Sequence, residues 1–568
     1  MSKSDKEGRS PATKEKQAKD PELFFGLVSP IGVGGGAVSD SLRAALEDVD
    51  YQLCTIRVIE ELKHVGAIHP ELEEESPFGK IPKKPEEERY IKSIEAGNRF
   101  CETFGEIGEV ASNGKGQDAL VALAIAAIAN FRKSAWLDIL KKGSVVAPSF
   151  SEHDAYEFQP LKRQSYLFRS LKRPGEVSRL RKIYGSGFFL ISAHAPREHR
   201  IKTLARKLAA SDLQYDPDAA RESAEKLLRL DLEDKENPAG QNVRQAFAKA
   251  DFFVDASGSR AELREQLRRF VAILFGFQFH TPTKDEYGMA MAHLASLRSS
   301  HFSRQVGAAI AKEDGSIVAT GCNEVPRAGG GLYWPGDKDD QRDFQLRKNT
   351  SLDVRYEVLG DTLQRYLRRL GKEMDLSGED IQRLHERFIE LTPQDPKLAS
   401  SRIMDAIEYD RSVHAEMTAI TDAARHGINI KECTLYTTTF PCHNCARHIV
   451  SSGIRRVVYI HPYEKSLTKR LHGDAIGVDL APSTEQGAVR FDPFVGVSPN
   501  LYIELFSMGE RRGRGKRWRS IAKWHPKEAQ PRLSFEELLY TRGEESAQDW
   551  LLAQFEENKF VYARKEPQ

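Results

Sequence analysis

The sequence predicts an α/β protein built from two main domains, and three observations support that fold class. The 568 residues exceed what a single hydrophobic core normally organises. In the first half, apolar runs of strand length alternate with helical patterns, which is typical of a parallel sheet covered by helices. The second half opens with a helix pattern at 284–300 and a hairpin pattern, and after a long charged stretch it alternates helix and strand. Apolar residues make up 40% and charged residues 29%, as in ordinary soluble proteins.

The first domain is predicted over residues 21–275, behind a polar tail at 1–20 that we expect to be disordered. Its first apolar run, PELFFGLV, ends in the glycine-rich stretch SPIGVGGGA at 29–37, and an amphipathic helix pattern follows. This order is the usual layout of a phosphate-binding βα unit, because glycines let backbone N–H groups approach an anion at the helix start. Further strands at 187–193 and 251–257 complete the predicted parallel sheet.

The second domain is predicted over residues 276–525. QVGAAIAKEDGSIVATGCN at 305–323 has the pattern of a β-hairpin that turns at EDG. The charged stretch 327–405 contains helical patterns, and we interpret it as an insertion. Residues 526–568 are predicted to form a peripheral helical extension. The motifs that carry chemistry follow the insertion, in a helix–strand–helix–strand series.

The six cysteines are too few for a disulfide framework, so we expect a reduced, cytoplasmic protein. No apolar run reaches the ~18–20 residues that span a bilayer, and the polar first residues lack the apolar segment of a secretory signal. We therefore expect no membrane partner. Four cysteines are predicted to lie in the core, namely Cys54, Cys101, Cys322 and Cys433.

The remaining cysteines, Cys442 and Cys445, follow a proline in TTTFPCHNC at 437–445. A structural zinc site would need a second Cys-x-x-Cys, and the sequence has none. It offers His414 instead, at the start of a predicted helix. One histidine and two cysteines give three ligands and leave a fourth position open, as catalytic zinc sites do for water. The sequence therefore predicts a catalytic Zn²⁺ site.

Glu416, two residues beyond His414, is predicted to move the protons of the reaction. The spacing H-x-E…P-C-x-x-C is the general signature of zinc-dependent deaminases, in which the glutamate is an acid/base and not a ligand. Zinc lowers the pKa of a bound water toward ~7. Glu416 would take the proton of that water and pass it to the ring nitrogen and to the leaving ammonia. The alternative is a redox pair or two plain buried thiols, against which the upstream HAE and the intervening strand argue.

The second domain resembles the deoxycytidylate deaminase family within the cytidine deaminase superfamily. The likeness rests on five stretches: RSSHFSRQVGAAI (298–310), GCNEVP (321–326), HAE (414–416), TTTFPCHNC (437–445) and RRVVYIHPY (455–463). Because all five occur in the family's order, the resemblance is specific. It implies a cytidine-deaminase-like α/β/α domain with Zn²⁺ as its cofactor.

The same resemblance implies roles for substrate-binding residues. Asn323 is expected to hydrogen-bond the sugar, as the asparagine of the family's loop does. Thr438, Thr439 and Phe440 are expected to line the base pocket. Tyr463 is expected to touch the substrate or its phosphates, with an ordinary loop residue as the alternative.

The stretch SPIGVGGGAV resembles the phosphate loop of small-molecule kinases, usually written GPxGxGK[ST]. The resemblance implies a P-loop kinase-like domain in which Gly32, Gly34, Gly35 and Gly36 bind a nucleotide. Gly35 stands where the lysine belongs, and Gly36 and Ala37 stand where a Ser or Thr would bind Mg²⁺. We therefore expect nucleotide binding or sensing without phosphoryl transfer. A purely structural domain and an active kinase are the alternatives left open.

A kinase-like domain fused to a long deoxycytidylate deaminase resembles the bacterial anti-phage dCTP/dCMP deaminases. The stretches EYDRSVHAEM, PYEKS and FDPFVGVSPNLYIELF fit that group as well. The resemblance implies that deoxycytidine nucleotides, dCTP and/or dCMP, are converted to deoxyuridine nucleotides during infection. It also implies as partners a regulatory nucleotide at the first domain, an inhibitory small RNA, and further copies of the chain in a homo-oligomer.

Two other functions stay open. A deaminase that edits RNA or DNA needs a groove with stacking aromatics, and we see no clear aromatic and basic interleaving around the motifs. A non-catalytic nucleotide-sensing protein would be expected to have lost the glutamate or a ligand. The basic run RRGRGKRWR at 511–519 is either a solvated loop or a phosphate or RNA contact surface. The formal net charge of +1 gives no global signature of polyanion binding.

Overall fold

The computed structural model describes most of the chain, in the ranges 20–67, 86–104, 117–141, 159–211, 217–232, 240–399, 401–404, 406–462, 466–478, 487–507, 523–532 and 537–562. The predicted tail at 1–20, apart from Asp20, and the basic run at 511–519 lie outside the described residues. The chain forms two compact units, one of Met1–Glu286 with Val495–Gln568 and one of Tyr287–Phe494.

This division differs from the predicted boundaries at residues 275 and 525. Residues from 495 onward return to the first unit, where the two-residue strand Gly496–Val497 pairs with Phe252–Asp255. The pairing is antiparallel and adds an edge to the sheet of that unit. A two-residue strand has no periodicity of its own, so the sequence pattern could not show where it docks.

Strands and helices alternate along much of the chain. The strands are β1 Leu23–Val28, β2 Gln52–Arg57, β3 Val65–Ala67, β4 Gln164–Arg169, β5 Phe188–His194, β6 Phe252–Asp255, β7 Gly307–Ala311, β8 Ile317–Cys322, β9 Thr434–Thr439, β10 Arg456–His461, β11 Ile476–Val478, β12 Val489–Pro493, β13 Gly496–Val497 and β14 Phe560–Tyr562. The helices are α1 Gly35–Glu47, α2 Glu86–Phe104, α3 Ala119–Lys141, α4 Pro174–Tyr184, α5 Arg197–Ser211, α6 Pro217–Leu232, α7 Val243–Phe247, α8 Arg260–Leu274, α9 Lys284–Ser296, α10 Asp343–Leu346, α11 Thr350–Met374, α12 Gly378–Leu391, α13 Pro396–Ala399, α14 Ala415–Arg425, α15 His443–Ser451, α16 Thr468–His472, α17 Pro499–Phe506 and α18 Glu537–Asn558.

The main sheet of the first unit has the strand order β13-β6-β5-β1-β4-β2. All its pairs are parallel except β13 with β6. The central strand LFFGLV is buried at every residue, because a strand in the middle of a parallel sheet is covered by helices on both faces. The predicted parallel α/β architecture is confirmed for this unit, and the strands foreseen at 21–28, 187–193 and 251–257 are β1, β5 and β6.

The glycine-rich turn lies between β1 and α1, as predicted. Gly32 and Gly34 have φ of 87° and 85°, in the left-handed region where residues with a Cβ are strained. Gly34 is the N-cap of α1 and provides no side chain to cap the helix. The first N–H groups of an α-helix have no partner within the helix, so those of Gly35 and Gly36 are available at this end.

The C-terminal extension forms a helix, α18, as predicted, but this helix is not peripheral to the first unit. Tyr540 and Glu544 are only 2% and 1% exposed. The Glu544 carboxylate lies 2.6 Å from the Arg132 guanidinium of α3, which also binds Glu22, next to β1, at 2.7 Å. Charges buried this deeply are tolerated only when they are paired and hydrogen-bonded. This ionic cluster therefore fastens α18 to the core of the first unit.

Helix α3 differs from the sequence-based expectation that no apolar run of the chain is long enough to span a bilayer. Among the described helices it is long and apolar enough to cross a bilayer, with a mean hydropathy of 1.4 over its best window. However, its residues 119–129 are buried within the first unit, and its Arg132 joins the ionic cluster. Core helices of globular proteins have the same length and composition, and α3 packs as one.

The second unit is built on a sheet of order β11-β12-β10-β9-β7-β8. β7 and β8 form the predicted antiparallel hairpin, and β9, β10, β12 and β11 run parallel to one another. Helix α14 packs on β7 and β8, and α15 packs on α14. The buried apolar cluster between these helices and the sheet includes both Cys442 and Cys445.

The predicted insertion at 327–405 contains α10 to α13. Helices α11 and α12 pack against each other, and a Cβ on Gly371 would meet Ile381 at 2.7 Å. No described residue of α12 is buried. The insertion is therefore a helical hairpin with little core of its own.

Candidate metal centre and active site

The three predicted ligands lie at the starts of two helices. His414 is the N-cap residue of α14, and Cys442 is the N-cap residue of α15, directly after β9. N-cap residues have extended backbone, so their side chains turn back toward the helix start. The Cys442 Sγ accepts a hydrogen bond from the Cys445 N–H at 3.4 Å. Partial positive charge at a helix start stabilises a thiolate there.

The fold brings the three side chains together although 28 residues separate His414 from Cys442. Their ligand atoms all lie within 4.8 Å of one another. His414 Nδ1 is 3.3 Å from Cys442 Sγ and 3.4 Å from Cys445 Sγ. The predicted grouping is therefore present in the structure, with Nδ1 as the nitrogen that faces the sulfurs.

Glu416 lies beside this group. Its side chain is 4% exposed, and its Oε2 accepts a hydrogen bond from the Cys445 thiol at 3.4 Å. Burial raises the pKa of the Glu416 carboxyl, and the neighbouring Cys442 thiolate raises it further. A carboxyl whose pKa is moved toward neutrality is suited to both accepting and giving up a proton.

The protonation of the group is set by its own hydrogen bonds. The Cys445 side chain bonds to the Cys442 sulfur and lowers the pKa of Cys442 to about 4, with His414 adding to the effect. The same bond and burial raise the pKa of Cys445. Burial opposes charge on His414, but Cys442 and the nearby carboxylates outweigh it and raise the His414 pKa to about 9. A cation must displace protons from His414 and Cys445, so its affinity should rise with pH.

The donor set fits zinc. One imidazole nitrogen and two thiolate sulfurs are the ligands that zinc prefers, and three of them leave one position for a water molecule. All three donors converge at one side of two rigid helix starts, which keeps their directions fixed. The neighbouring histidine His443 does not join them, because its Nε2 pairs with Glu408 Oε1 at 3.0 Å.

The predicted base-pocket residues lie at the end of β9, next to the metal group. Thr438 Oγ1 accepts a hydrogen bond from the Gly307 N–H at 3.1 Å, which holds β9 to β7. Thr439 is partly buried and pairs in register with His461 of β10. The Phe440 ring packs edge-on against Tyr459 at 4.9 Å, with part of its surface left uncovered. The positions of these three residues beside the metal group are compatible with their predicted role in lining the base pocket.

The side-chain amide of Asn323 already makes two hydrogen bonds within the protein. Its Oδ1 accepts from the Val306 N–H at 2.8 Å, and its Nδ2 donates to the Arg304 carbonyl at 3.0 Å. Asn323 therefore clamps the segment that enters β7. One amide hydrogen and one oxygen lone pair remain for a substrate. Tyr463, the last predicted substrate residue, lies outside the described residues.

The sequence-based reasoning missed a supporting pair, His301 and Asp410. The His301 Nε2 lies 3.1 Å from Asp410 Oδ2, and Asp410 comes four residues before His414. Burial opposes ionisation of Asp410, but hydrogen bonds from His301 and from the Ser412 N–H lower its pKa overall. Both residues stand within stretches already singled out, RSSHFS and EYDRSVHAEM, so their polar character was the available clue.

The predicted phosphate-loop glycines Gly32, Gly34, Gly35 and Gly36 lie together in the first unit, between β1 and α1. The loop is held from outside by Asp231, whose Oδ2 accepts from the Ile31 N–H at 2.7 Å. Whether these glycines bind a nucleotide stays a prediction at this point.

Comparisons with known proteins concern the second unit. Residues 282–461 match the family model described as the cytidine and deoxycytidylate deaminase zinc-binding region. The deoxycytidylate deaminase of Pongo abelii is 24% identical over 214 residues, which cover 36% of this chain and 85% of that protein. The deoxycytidylate deaminase of Enterobacteria phage T2 is 46% identical over 54 residues, which cover 10% of this chain and 29% of that protein.

A solved structure, the dCMP deaminase of cyanophage S-TIM5 in complex with dCMP and dUMP, is 18% identical with a TM-score of 0.20. The likeness covers 38% of this chain and all of that one. Residues 282–461 are therefore similar to the zinc-binding region of cytidine and deoxycytidylate deaminases, and the group of His414, Cys442 and Cys445 within them is consistent with zinc. The chain is an enzyme of the hydrolytic cytidine deaminase class.

Proposed function

We propose that this protein hydrolyses the amino group of deoxycytidine nucleotides, dCTP and/or dCMP, to give deoxyuridine nucleotides and ammonia. The observation that carries the proposal is the convergence of His414, Cys442 and Cys445 beside the buried Glu416. The names of the relatives support a deoxycytidine nucleotide, since the similar proteins from Pongo abelii and phage T2 are deoxycytidylate deaminases.

In the proposed mechanism, His414 Nδ1 and the sulfurs of Cys442 and Cys445 would hold Zn²⁺. When bound, the metal would lower the pKa of a water molecule toward ~7 and so supply a nucleophile at neutral pH. Glu416 accepts the proton of the water that adds to C4 of cytosine, and delivers a proton to N3. It then accepts the proton of the new C4 hydroxyl and passes it to the amino group, so that C4=O forms while the C4–N bond breaks and ammonia leaves. Its raised pKa favours these successive transfers.

The remaining residues would position the substrate. Thr438 and Thr439 end β9, and Phe440 follows them directly before Pro441 and Cys442, which supports a role for these three residues in facing the pyrimidine ring. The one free hydrogen of the Asn323 amide would bond to the sugar. Tyr463 is proposed, from the resemblance alone, to contact the sugar or phosphates.

The direct test incubates purified full-length protein with dCTP, dCMP, CTP and CMP and measures deoxyuridine and uridine products by chromatography. We expect turnover of at least one deoxycytidine nucleotide and little turnover of the ribonucleotides. Glu416→Gln should keep the metal and lose at least 100-fold in rate, because the general acid/base contributes roughly that much or more. Full activity in this variant would contradict the mechanism.

The metal assignment has its own test. Cys442→Ser should lower bound zinc far below one ion per chain by elemental analysis, because a hydroxyl is a poor zinc ligand at neutral pH. Cys433→Ser is the matched control, since Cys433 is equally buried in the same unit but does not face His414. Equal zinc content in the two variants would contradict the ligand assignment.

A polynucleotide substrate is the second candidate. It predicts conversion of cytosine within single-stranded DNA or RNA and little conversion of free nucleotides. The nucleotide assay therefore includes one further substrate, an oligonucleotide with a single cytosine. The intact set of ligands with Glu416 speaks against the third candidate, a nucleotide-sensing protein without activity.

We also propose a role in anti-phage defence, which rests on the resemblance of most of the chain, apart from its ends, to defence deaminases. Bacteria that express the protein should lose dCTP and dCMP after infection and should yield fewer plaques than bacteria that express Glu416→Gln. Equal plaque counts with the two proteins would contradict the role. An inhibitory small RNA, a homo-oligomer and a cytoplasmic location stay predictions of the same resemblance.

A further inference from the structure

The first unit contains a cavity of about 800 Å³ beside the glycine-rich loop and the start of α1. Its lining includes residues at the carboxyl ends of β1 and β4. Ligands of open parallel α/β sheets usually bind outside the carboxyl ends of the strands, and the volume suits a small molecule.

The lining is positively charged. It includes seven cationic and four acidic side chains, an excess of three, although the whole chain has a formal charge of only +1. The acidic residues are all paired: Glu60 with Arg57, Glu86 with Arg89, Glu176 with Arg173, and Asp231 with Lys172. Arg169, Lys207 and Arg260 form no ion pair with any residue that the structure describes. The cavity therefore holds an excess of positive charge, and the carboxylates that act on Arg169, those of Glu60 and Asp40, form no ion pair with it.

Arg169 stands next to the start of α1. Its Nη2 lies 3.7 Å from the position that a Cβ on Gly36 would occupy. The loop itself, SPIGVGGGA, has no charged side chain. A guanidinium beside the free N–H groups of a helix start combines the two features that bind phosphate oxygens most strongly.

Gln241 provides an independent observation. It is 7% exposed and lines the same cavity, and its Oε1 has no hydrogen-bond partner among the described residues. A buried amide is normally hydrogen-bonded, so an unpaired amide oxygen at a cavity is a group that a polar ligand can satisfy. A half-turn of the amide exchanges its oxygen and nitrogen, so Gln241 can accept from or donate to that ligand.

Lys172 cannot supply the phosphate contact. Its Nζ donates to the Ser29 carbonyl at 2.8 Å and to Asp231 Oδ1 at 2.7 Å, while the other oxygen of Asp231 holds the Ile31 N–H. This bridge fixes the shape of the loop and uses the lysine's charge in doing so. Gly36 and Ala37 carry no hydroxyl to bind Mg²⁺.

We propose that this cavity binds a nucleoside di- or triphosphate without transferring its phosphate. The phosphates lie between the Arg169 guanidinium and the N–H groups of Gly35 and Gly36. The apolar and aromatic part of the lining, which includes Tyr90, Ile59 and Ile94, takes the nucleoside. The site is separate from the proposed deaminase reaction and does not depend on it.

The test titrates the full-length protein with ATP, GTP and dTTP, which lack a cytosine ring, and follows the heat of binding. At least one of them should bind with one site per chain, inorganic triphosphate should compete with it, and its phosphate-free nucleoside should bind at least 10-fold more weakly. Failure of all three nucleotides to bind at millimolar concentration would overturn the proposal. Equal affinity for the nucleoside would overturn the phosphate contact.

Variants locate the site. Arg169→Gln should weaken nucleotide binding at least 10-fold, because it removes a charge-assisted hydrogen bond. Arg229→Gln is the matched control, since Arg229 is an exposed arginine of α6 outside the cavity lining, and it should bind like the unchanged protein. Unchanged affinity in Arg169→Gln, with an unchanged unfolding temperature, would overturn the role of Arg169.

A second pair of variants covers the case in which Arg169→Gln does not fold. Gly36→Asp adds an acidic residue in the first turn of α1, which the helix favours. Its carboxylate would sit beside Arg169 and exclude phosphate. Gly36→Asn has the same shape without the charge. We expect Gly36→Asp to lose binding and Gly36→Asn to keep most of it, and equal binding by both would contradict the proposed phosphate position.

Discussion

Single residues at two helix starts decide the chemistry of the candidate metal centre. His414 and Cys442 are both N-cap residues, so their side chains leave the helix at its electropositive end. Glu416 is the second residue of α14 and is buried against the Cys445 sulfur. The short spacing of HAE therefore places a metal ligand at the cap and an acid/base in the first turn, with both side chains beside the Cys445 sulfur.

A pH prediction follows for His461, a partly buried residue at the end of β10. Burial lowers its pKa to about 4, and the charges of Arg304 and His293 contribute. Histidine in an unfolded chain has a pKa of about 6.5. Between this pKa and that of folded His461, the unfolded chain binds one more proton than the folded chain. The contribution of neutral His461 to the free energy of unfolding is therefore complete above about pH 6.5, and it is lost as the pH falls toward about 4. The full shift corresponds to about 3 kcal/mol.

We therefore expect the free energy of unfolding of the unchanged protein to fall more steeply than that of His461→Gln over this range. The difference between the two proteins should grow by up to about 3 kcal/mol between about pH 7 and about pH 4. Urea unfolding at both pH values measures it. Parallel losses in the two proteins would show that His461 titrates normally in the folded state.

At the scale of elements, a close approach between β8 and α14 sets the position of the metal ligand His414. A Cβ on Gly321 would lie 2.4 Å from the Ala415 carbonyl and 2.5 Å from the Ala419 N–H. Only glycine lets the helix backbone come this near to the strand. The sequence motif GCNEVP marks this glycine, but only the packing shows what it does.

Gly321→Ala should push α14 away from the sheet and move His414 with it. We expect the free energy of unfolding to fall by about 1–3 kcal/mol, as for other overpacked cores, and zinc affinity to fall as well. Zinc competition with a chromophoric chelator and urea unfolding measure the two effects. Gly378→Ala is the control, because a Cβ there meets no atom within 4 Å. Equal effects of the two substitutions would contradict this account.

A second prediction at the scale of elements concerns the ionic cluster of Arg132, Glu22 and Glu544. Arg132→Met would leave two buried carboxylates facing each other without a counter-ion, and we expect it to lower the free energy of unfolding by about 3–5 kcal/mol. Adding Glu22→Gln and Glu544→Gln should restore much of that loss, because no buried charge remains. Urea unfolding of the single and triple variants measures the recovery.

The control is Arg365→Met, which removes an arginine from the exposed pair with Asp361 and should change stability little. A loss in Arg132→Met no larger than in this control would show that the buried cluster does not hold α18 in place.

At the scale of the whole molecule, the two units have separate apolar cores, and the proposed metal site belongs to one of them. Removal of zinc by a chelator should therefore lower the temperature of one unfolding transition and leave the other unchanged, since a ligand stabilises only the fold that binds it. Differential scanning calorimetry resolves the two transitions. A common shift of both would indicate that the units unfold together.

The elements that the sequence predicted are those whose patterns are local. The strands β1, β5 and β6, the hairpin of β7 and β8, and the series from α14 to β10 were all visible as apolar runs or motifs. Strand β4 was missed, although it lies beside β1 in the sheet centre. It follows a stretch without clear pattern, and its own sequence, QSYLFR, carries little apolar periodicity.

The sequence alone determined the chemistry of this protein: which residues could bind a metal, which one could move a proton, and which loop has the glycines for a tight phosphate turn. Residue type and spacing suffice for these, since ligand atoms and backbone freedom are local properties. Tertiary structure alone decided what lies beside them. Residues far apart in the chain, such as Arg169 and Gly36, or Arg132 and Glu544, meet only because parallel strands and buried helices place them together. No local pattern records such a meeting, because the free energy that fixes it comes from burial across the whole unit.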